Sequence, residues 1–323
     1  MKSQNQSRHS LQIFVLGAAF ILNVCTTLAQ NQMPKVVGGT LERLENFKSE
    51  YVTARNVDIW LPKGYSNKNK YAVLYMHDGQ MLYDADMAWN KQTWNVDDIA
   101  SELLKENKVK PFIVVGIHNG GATRHPDYFP QKPYQSLSIA EKDTVTAQLK
   151  ASTHVKSGDF TPNSDNYLKF LVKELKPYID QKFSVKTNRK NTFIAGSSMG
   201  GLISMYAISE YPKVFGGAIC MSTHWVGTFN LDNNPMPSAF LSYLKENLPN
   251  PRKHKIYFDC GDKTLDALYP EIQAKVDVVM KQHGYKSKNW QTRYFPGENH
   301  SEDAWQNRFS IPLKFMLGTN EKN

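Results

Sequence analysis

Apolar positions along this chain fall into short runs separated by stretches with a helical rhythm. Over residues 51–61 they alternate, at Val52, Ala54, Val57, Ile59 and Leu61, which predicts a strand ending at the turn Pro62-Lys63-Gly64. Residues 71–76 are apolar throughout and predict a fully buried strand, placed to form a hairpin with the first. Residues 95–106 carry Val96, Ile99, Leu103 and Leu104 at helical spacing, with Asp97 and Asp98 in the first turn. Residues 111–117 form the next apolar run. Strand, helix, strand is the order that builds a parallel sheet.

Residues 118–162 are polar and aromatic-rich with no usable period, as expected of a long loop that walls or covers a binding site. The alternation then resumes. Residues 165–183 place Tyr167, Phe170, Leu171, Leu175, Tyr178 and Ile179 on one helical stripe. Strands are predicted at 193–195, 214–221, 255–258 and 290–295, and helices at 199–209, 238–246, 270–282 and 304–317, with 222–237 irregular. The expectation is an α/β fold with a mostly parallel central sheet and helices on both faces. One domain is expected over 49–323, preceded by a polar lead-in at 30–48.

The first residues depart from this grammar. Lys2 and Arg8 precede an apolar run over 11–24, and Thr27-Leu28-Ala29 offers a small-x-small cleavage site. Residues 1–29 therefore read as a signal peptide, which places the mature chain in the periplasm or outside the cell, starting near Gln30. The run is short for a membrane anchor, and no later one is long enough to span a bilayer, so no stable membrane insertion is expected. Lipid on Cys25 is not expected either, because Val24 is bulky where a small residue is normally wanted.

The 323 residues are 41% hydrophobic and 21% charged, an ordinary globular composition. Loss of Lys2 and Arg8 with the leader takes the formal charge from +9 to +7. The remaining lysines are scattered near predicted turns without interleaved aromatics, so no nucleic-acid partner is expected. Cys220 and Cys260 end predicted strands and could pair after export or stay as two buried thiols. No histidine or cysteine spacing suits a metal, and neither H-E-x-x-H nor G-x-G-x-x-G occurs, so no metal and no organic cofactor is expected.

Candidate chemistry centres on Gly196-Ser197-Ser198-Met199-Gly200, a G-x-S-x-G between a predicted strand and a predicted helix. There the glycines allow a turn too tight for a Cβ, and Ser198 is left exposed at a helix start as a nucleophile. A serine needs a base held by a carboxylate. His300 follows the last predicted strand, at the carboxyl end where parallel sheets place their chemistry, and completes the chain order serine, acid, histidine. His254 and His283 suit surface positions. Asp259, Asp262 and Asp266 follow the preceding strand. Asp266, flanked by Leu265 and Ala267, is the expected acid, Asp262 the alternative, and Asp259 a structural residue. An oxyanion needs backbone N–H donors: Met199 follows the nucleophile, and the early loop His77-Asp78-Gly79-Gln80-Met81 offers Gln80 ahead of Met81. His77 and Asp78 are expected to support that loop.

With these residues the chain resembles the esterase D-like esterases of the α/β-hydrolases, relatives of feruloyl, acetylxylan and enterochelin-type esterases. The resemblance covers about 47–317 and rests on His77-Asp78-Gly79-Gln80, on Gly196-Ser197-Ser198-Met199-Gly200-Gly201, on Gly297-Glu298-Asn299-His300 with Trp305 after it, and on the helix at 167–179. It implies an α/β-hydrolase fold, Ser198 as nucleophile, His300 as base and an acid after Gly261. Many members carry that acid three residues past the glycine, where this chain has Thr264. The resemblance also suggests that Trp225 and His77 wall the substrate pocket. It implies a serine ester hydrolase acting on feruloyl or acetyl esters of carbohydrate, a small-molecule or oligosaccharide substrate. Siderophore-ester hydrolysis, acyl transfer and an inactive binding protein are the alternatives.

Overall fold

Runs that are apolar on both faces become the inner strands of a sheet, because only there are both faces covered. A computed structural model describes residues 32–152 and 160–319; the expected signal peptide lies outside the described residues. In chain order the strands and helices begin with β1 (Thr40–Phe47), β2 (Arg55–Leu61), β3 (Ala72–His77), α1 (Val96–Lys105) and β4 (Phe112–Ile117). Then come α2 (Arg124–Tyr128), α3 (Gln131–Gln135), α4 (Ile139–Ala151), α5 (Ser164–Lys169) and α6 (Lys176–Lys182). The second half holds β5 (Thr192–Ser197), α7 (Met199–Glu210), β6 (Gly217–Met221), α8 (Met236–Asn247) and β7 (Lys255–Cys260). It closes with α9 (Pro270–Gln282), β8 (Trp290–Tyr294) and α10 (Glu302–Leu317). Residues from Val36 on form one compact unit.

The eight strands lie in the order β1-β2-β4-β3-β5-β6-β7-β8. β2 runs antiparallel to β1 and β4, and every other neighbouring pair is parallel. Period two divides β3 between two cores. Val73 and Tyr75 face one, with Leu202 of α7, Phe240 of α8 and Val276 of α9. Leu74 and Met76 face the other, with Ala100 of α1 and Leu313 of α10. This is the α/β-hydrolase fold, a mostly parallel sheet covered by helices on both faces.

Three expectations change. The strand at 51–61 makes no hairpin with 71–76: β2 sits between β1 and β4, whereas β3 lies between β4 and β5. The strand with the apolar composition AVLYMH takes the centre, and its sequence neighbour, which carries Arg55, Asn56 and Asp58, goes outward. The lead-in at 30–48 supplies the edge strand β1, so the sheet starts before residue 49; its half-exposed pattern explains why no apolar period shows. The long loop at 118–162 contains α2, α3 and α4. Helix α4 buries only Val145 and Leu149, too thin a stripe to read, yet its capping box of Ser138 and Glu141 was present in the sequence.

The helix at 165–183 is found, with π-helical turns over Phe170–Leu175 ahead of Pro177. That proline has no N–H to give to the preceding turn. Its Tyr178 lies at the surface rather than on the buried stripe. Cys220 and Cys260 are two buried free thiols. Among the described residues no helix is long and apolar enough to cross a membrane.

Candidate active site

β5 ends at Ser197 and α7 begins at Met199, so Ser198 alone makes the turn, with φ 56° and ψ −123°. L residues rarely hold that backbone, and here it is over-determined. The Ser198 N–H donates to the Met221 carbonyl at 3.0 Å, and its own carbonyl accepts from Leu202 N–H at 3.0 Å and His224 N–H at 3.2 Å. A Cβ on Gly196 would lie 2.7 Å from the Gly200 backbone, an approach of strand and helix that only glycine allows.

Behind the cleft, a 3₁₀ turn over Thr264–Leu268 buries Asp266 completely. His300, in the loop between β8 and α10, places Nδ1 2.5 Å from Asp266 Oδ1. The other carboxylate oxygen accepts the Gly261 N–H at 2.6 Å and the Ser222 hydroxyl at 2.7 Å. Ser222 accepts in turn from Trp305 Nε1 and Arg308 Nη2, both at 2.9 Å. Three donors fix this carboxylate, and the bond to Nδ1 sets the imidazole tautomer, leaving Nε2 for other work. The backbone N–H of His300 donates to Thr264 Oγ1 at 3.0 Å, so the residue at the usual acid position supports the histidine loop. Trp305 and Tyr269 stand edge-on to the imidazole, with centroids at 4.9 and 5.7 Å.

Asp262 points elsewhere. It accepts from the Tyr294 hydroxyl at 2.8 Å and the Gly297 N–H at 2.9 Å, closing the turn before His300. Those hydrogen bonds hold its carboxyl below the usual range. Asp259 is buried against Arg308 at 3.1 Å. Burial raises its carboxyl, with Arg308 opposing, as suits a structural counter-ion.

Ser198 and His300 open onto one cleft of about 560 Å³, shared with Met199, Gln80, His77 and Trp305. Met81 N–H is committed to the Asp78 carbonyl at 2.9 Å, which leaves Gln80 as the donor candidate in the turn Gly79–Met81. Met199 is the first residue of α7, where helix N–H groups lack internal partners. Asp78 braces the turn through a fork to Arg124 at 2.7 and 2.8 Å and through Asn119 at 2.7 Å. Burial would raise that carboxyl, but Arg124 holds it below its ordinary value.

The esterase family described as "Putative esterase" matches residues 49–315. The chain belongs to this family. It is 25% identical over 265 residues to the endo-1,4-beta-xylanase/feruloyl esterase of Xylanibacter ruminicola, covering 77% of this chain but only 28% of that longer protein. It is 23% identical to YbbA of Bacillus subtilis, covering 82% of this chain and 94% of that one. Among solved structures, the ferulic acid esterase Fae1A of Anaeromyces mucronatus superposes with a TM-score of 0.61 at 19% identity, over 89% of this chain and 93% of the other. The enterobactin esterase of Shigella flexneri gives a TM-score of 0.60 at 15% identity, over 89% and 62%. Such distant likenesses speak for the fold.

In this family member the structure brings Ser198, Met199, Gln80, His77 and His300 to one cleft, with Asp266 against His300. Trp225 is a correction. Its indole is 1% exposed, packs on Phe240 and Phe258, and donates to Gln273 Oε1 at 2.8 Å, so it belongs to the core and not to the cleft wall. Its neighbour His224 lines the cleft instead. His224 Nδ1 lies 2.7 Å from the Tyr269 hydroxyl, which also meets the Ser198 side chain. Burial pushes the His224 imidazole well below its ordinary value. No local pattern marked Tyr269, because its place beside Ser198 comes from packing between segments far apart in sequence. Among the described residues no group of three His, Cys, Asp or Glu could hold a metal ion.

Proposed function

We propose that this protein is an exported serine carboxylic-ester hydrolase that works through an acyl-enzyme on feruloyl or acetyl esters of carbohydrate. The observation that carries the reading is the Asp266–His300 hydrogen bond at the cleft that Ser198 enters from its elbow. In the reaction, Ser198 Oγ attacks the ester carbonyl while His300 Nε2 takes its proton, and Asp266 stays ionised beside the imidazolium. The tetrahedral oxyanion is met by the N–H groups of Met199 and Gln80. Collapse expels the alcohol, which leaves with the proton from His300. Water then repeats the sequence, freeing the acid and restoring Ser198. The carbohydrate side rests on the likeness to a protein named as a xylanase and feruloyl esterase. Export rests on the charge, length and ending of residues 1–29.

The test is turnover of p-nitrophenyl acetate, methyl ferulate, acetylated xylan and a catecholate trilactone by the mature protein and by Ser198→Ala. The variant should fold normally, lose fluorophosphonate labelling, and keep at most roughly 10³–10⁴-fold acceleration over water. Normal turnover with the label on another serine defeats the assignment. Preference for the trilactone moves the substrate to siderophore esters, and transfer to an added alcohol in place of water would make it an acyltransferase.

A further inference from the structure

Six tryptophans occur in the chain, at 60, 89, 94, 225, 290 and 305. Five are buried or half-buried, whereas Trp89 is 84% exposed. It stands on the wall of the Ser198 cleft, in the segment between the Gly79–Met81 turn and α1. An indole left in water forgoes the burial that normally stabilises it. Chain slack does not account for the position. Ala88 beside it is buried, and its N–H donates to the Ala85 carbonyl at 3.2 Å. Asn90 Nδ2 ties the segment to Glu302 of α10 at 2.7 Å, and Gln92 N–H donates to Asn90 Oδ1 at 3.1 Å. The backbone on both sides of Trp89 is therefore anchored while its ring faces solvent.

Around that ring the cleft changes character. His224, whose N–H donates to the Ser198 carbonyl, and Phe229 against its ring stand by the nucleophile turn, whereas Asn90 and Gln92 follow Trp89 in the chain and Asn90 holds Glu302 beside them. A flat π face flanked by amides and a carboxylate suits a sugar ring. The indole meets the ring's C–H face, whose hydrogens complement the negative face of the π system, and the polar groups serve its hydroxyls. We infer that Trp89, with Asn90 and Gln92, forms a subsite that stacks a pyranose or furanose ring of the alcohol portion of the ester. The inference rests on the ester-hydrolase reading for the role of the site but not for its existence. An aryl acyl group must place its carbonyl at Ser198 and so occupies the inner cleft; the alcohol side continues outward.

Trp89→Ala and Trp89→Phe decide this, with feruloylated arabinoxylo-oligosaccharide and methyl ferulate as paired substrates. Loss of a stacked tryptophan should raise KM for the oligosaccharide ester about tenfold or more with kcat nearly unchanged. Methyl ferulate, which has no sugar, should be hydrolysed as by the unaltered protein, and Trp89→Phe should recover part of the oligosaccharide KM. Equal loss on both substrates, or no loss on either, overturns the subsite. A second readout separates the two readings. Ester-free xylo- and arabinoxylo-oligosaccharides titrated against Ser198→Ala should change tryptophan fluorescence, and the change should vanish when Trp89→Ala is added. If no ester is hydrolysed but that signal holds, the esterase reading fails and the sugar site stands. If esters are hydrolysed and no oligosaccharide perturbs the signal, the sugar site fails alone.

Discussion

Of the histidines that line the cleft, His300 and His77 differ in what faces Nδ1. His300 has the buried carboxylate of Asp266 at 2.5 Å. His77 has the phenol of Tyr167 at 2.8 Å and is sealed from solvent. A carboxylate stabilises the imidazolium formed when Nε2 takes a proton; a phenol gives no such charge. Burial accordingly drives His77 down to about 3, with Asp78 opposing and Arg124 assisting, so it stays neutral at ordinary pH. Placement in the cleft therefore does not make a histidine a base. In the proposed reaction its partner at Nδ1 does.

The largest test of that contrast removes the carboxylate. In the proposed reaction Asp266→Asn should cost about 10⁴-fold in kcat on p-nitrophenyl acetate, because the amide favours the wrong tautomer and cannot stabilise imidazolium. A fully active variant would send the search for the acid to Asp259 or Glu298.

On the other side of the comparison, His77→Gln should lose far less than the roughly 10²–10⁴-fold that proton transfer contributes. A loss inside that range would make His77 a proton carrier and collapse the distinction. Stability gives its own signature. Because the folded His77 titrates near 3 and an unfolded histidine near 6.5, the unfolded chain takes the proton first as pH falls. The contribution is whole above pH 6.5 and is lost toward pH 3, by about 1.4 kcal/mol per pH unit at most. Urea unfolding at pH 7 and 4.5 should show a shallower decline for His77→Gln than for the unaltered protein; identical declines would refute the buried, neutral state. Below about pH 4 the contribution of Asp78, held low by Arg124 against burial, is lost as well in either protein.

The smallest expected effect is at Asp262. Asp262→Asn weakens a turn closed by Tyr294 and Gly297, so melting temperature should fall slightly while kcat holds. Loss of turnover at an unchanged melting temperature would transfer the acid's role to Asp262.

Short-range features are legible in the sequence. The elbow is one of them, since the close approach of Gly196 and Gly200 and the strained Ser198 all lie within five residues. The inner strands are another, because a run buried on both faces has one composition wherever it lies. The capping box of α4 is equally local, but with only Val145 and Leu149 buried the helix behind it shows no apolar stripe. Contacts across the chain were not legible. Asp262 and Asp266 share a loop, and what separates them is that Gly261, Ser222 and His300 converge on one carboxylate from three segments. Trp225 follows a strand as a pocket residue would, yet the neighbouring Phe240 and Phe258 leave it no path to solvent. Sequence alone determined the inner strands, the helices with a strong apolar stripe and the tight turn at Ser198, because those depend on backbone sterics and periodic burial over a few residues. Only the tertiary structure decided which carboxylate meets His300, that β1 edges the sheet and that Trp89 faces the cleft, because each is set by the packing of segments distant in sequence.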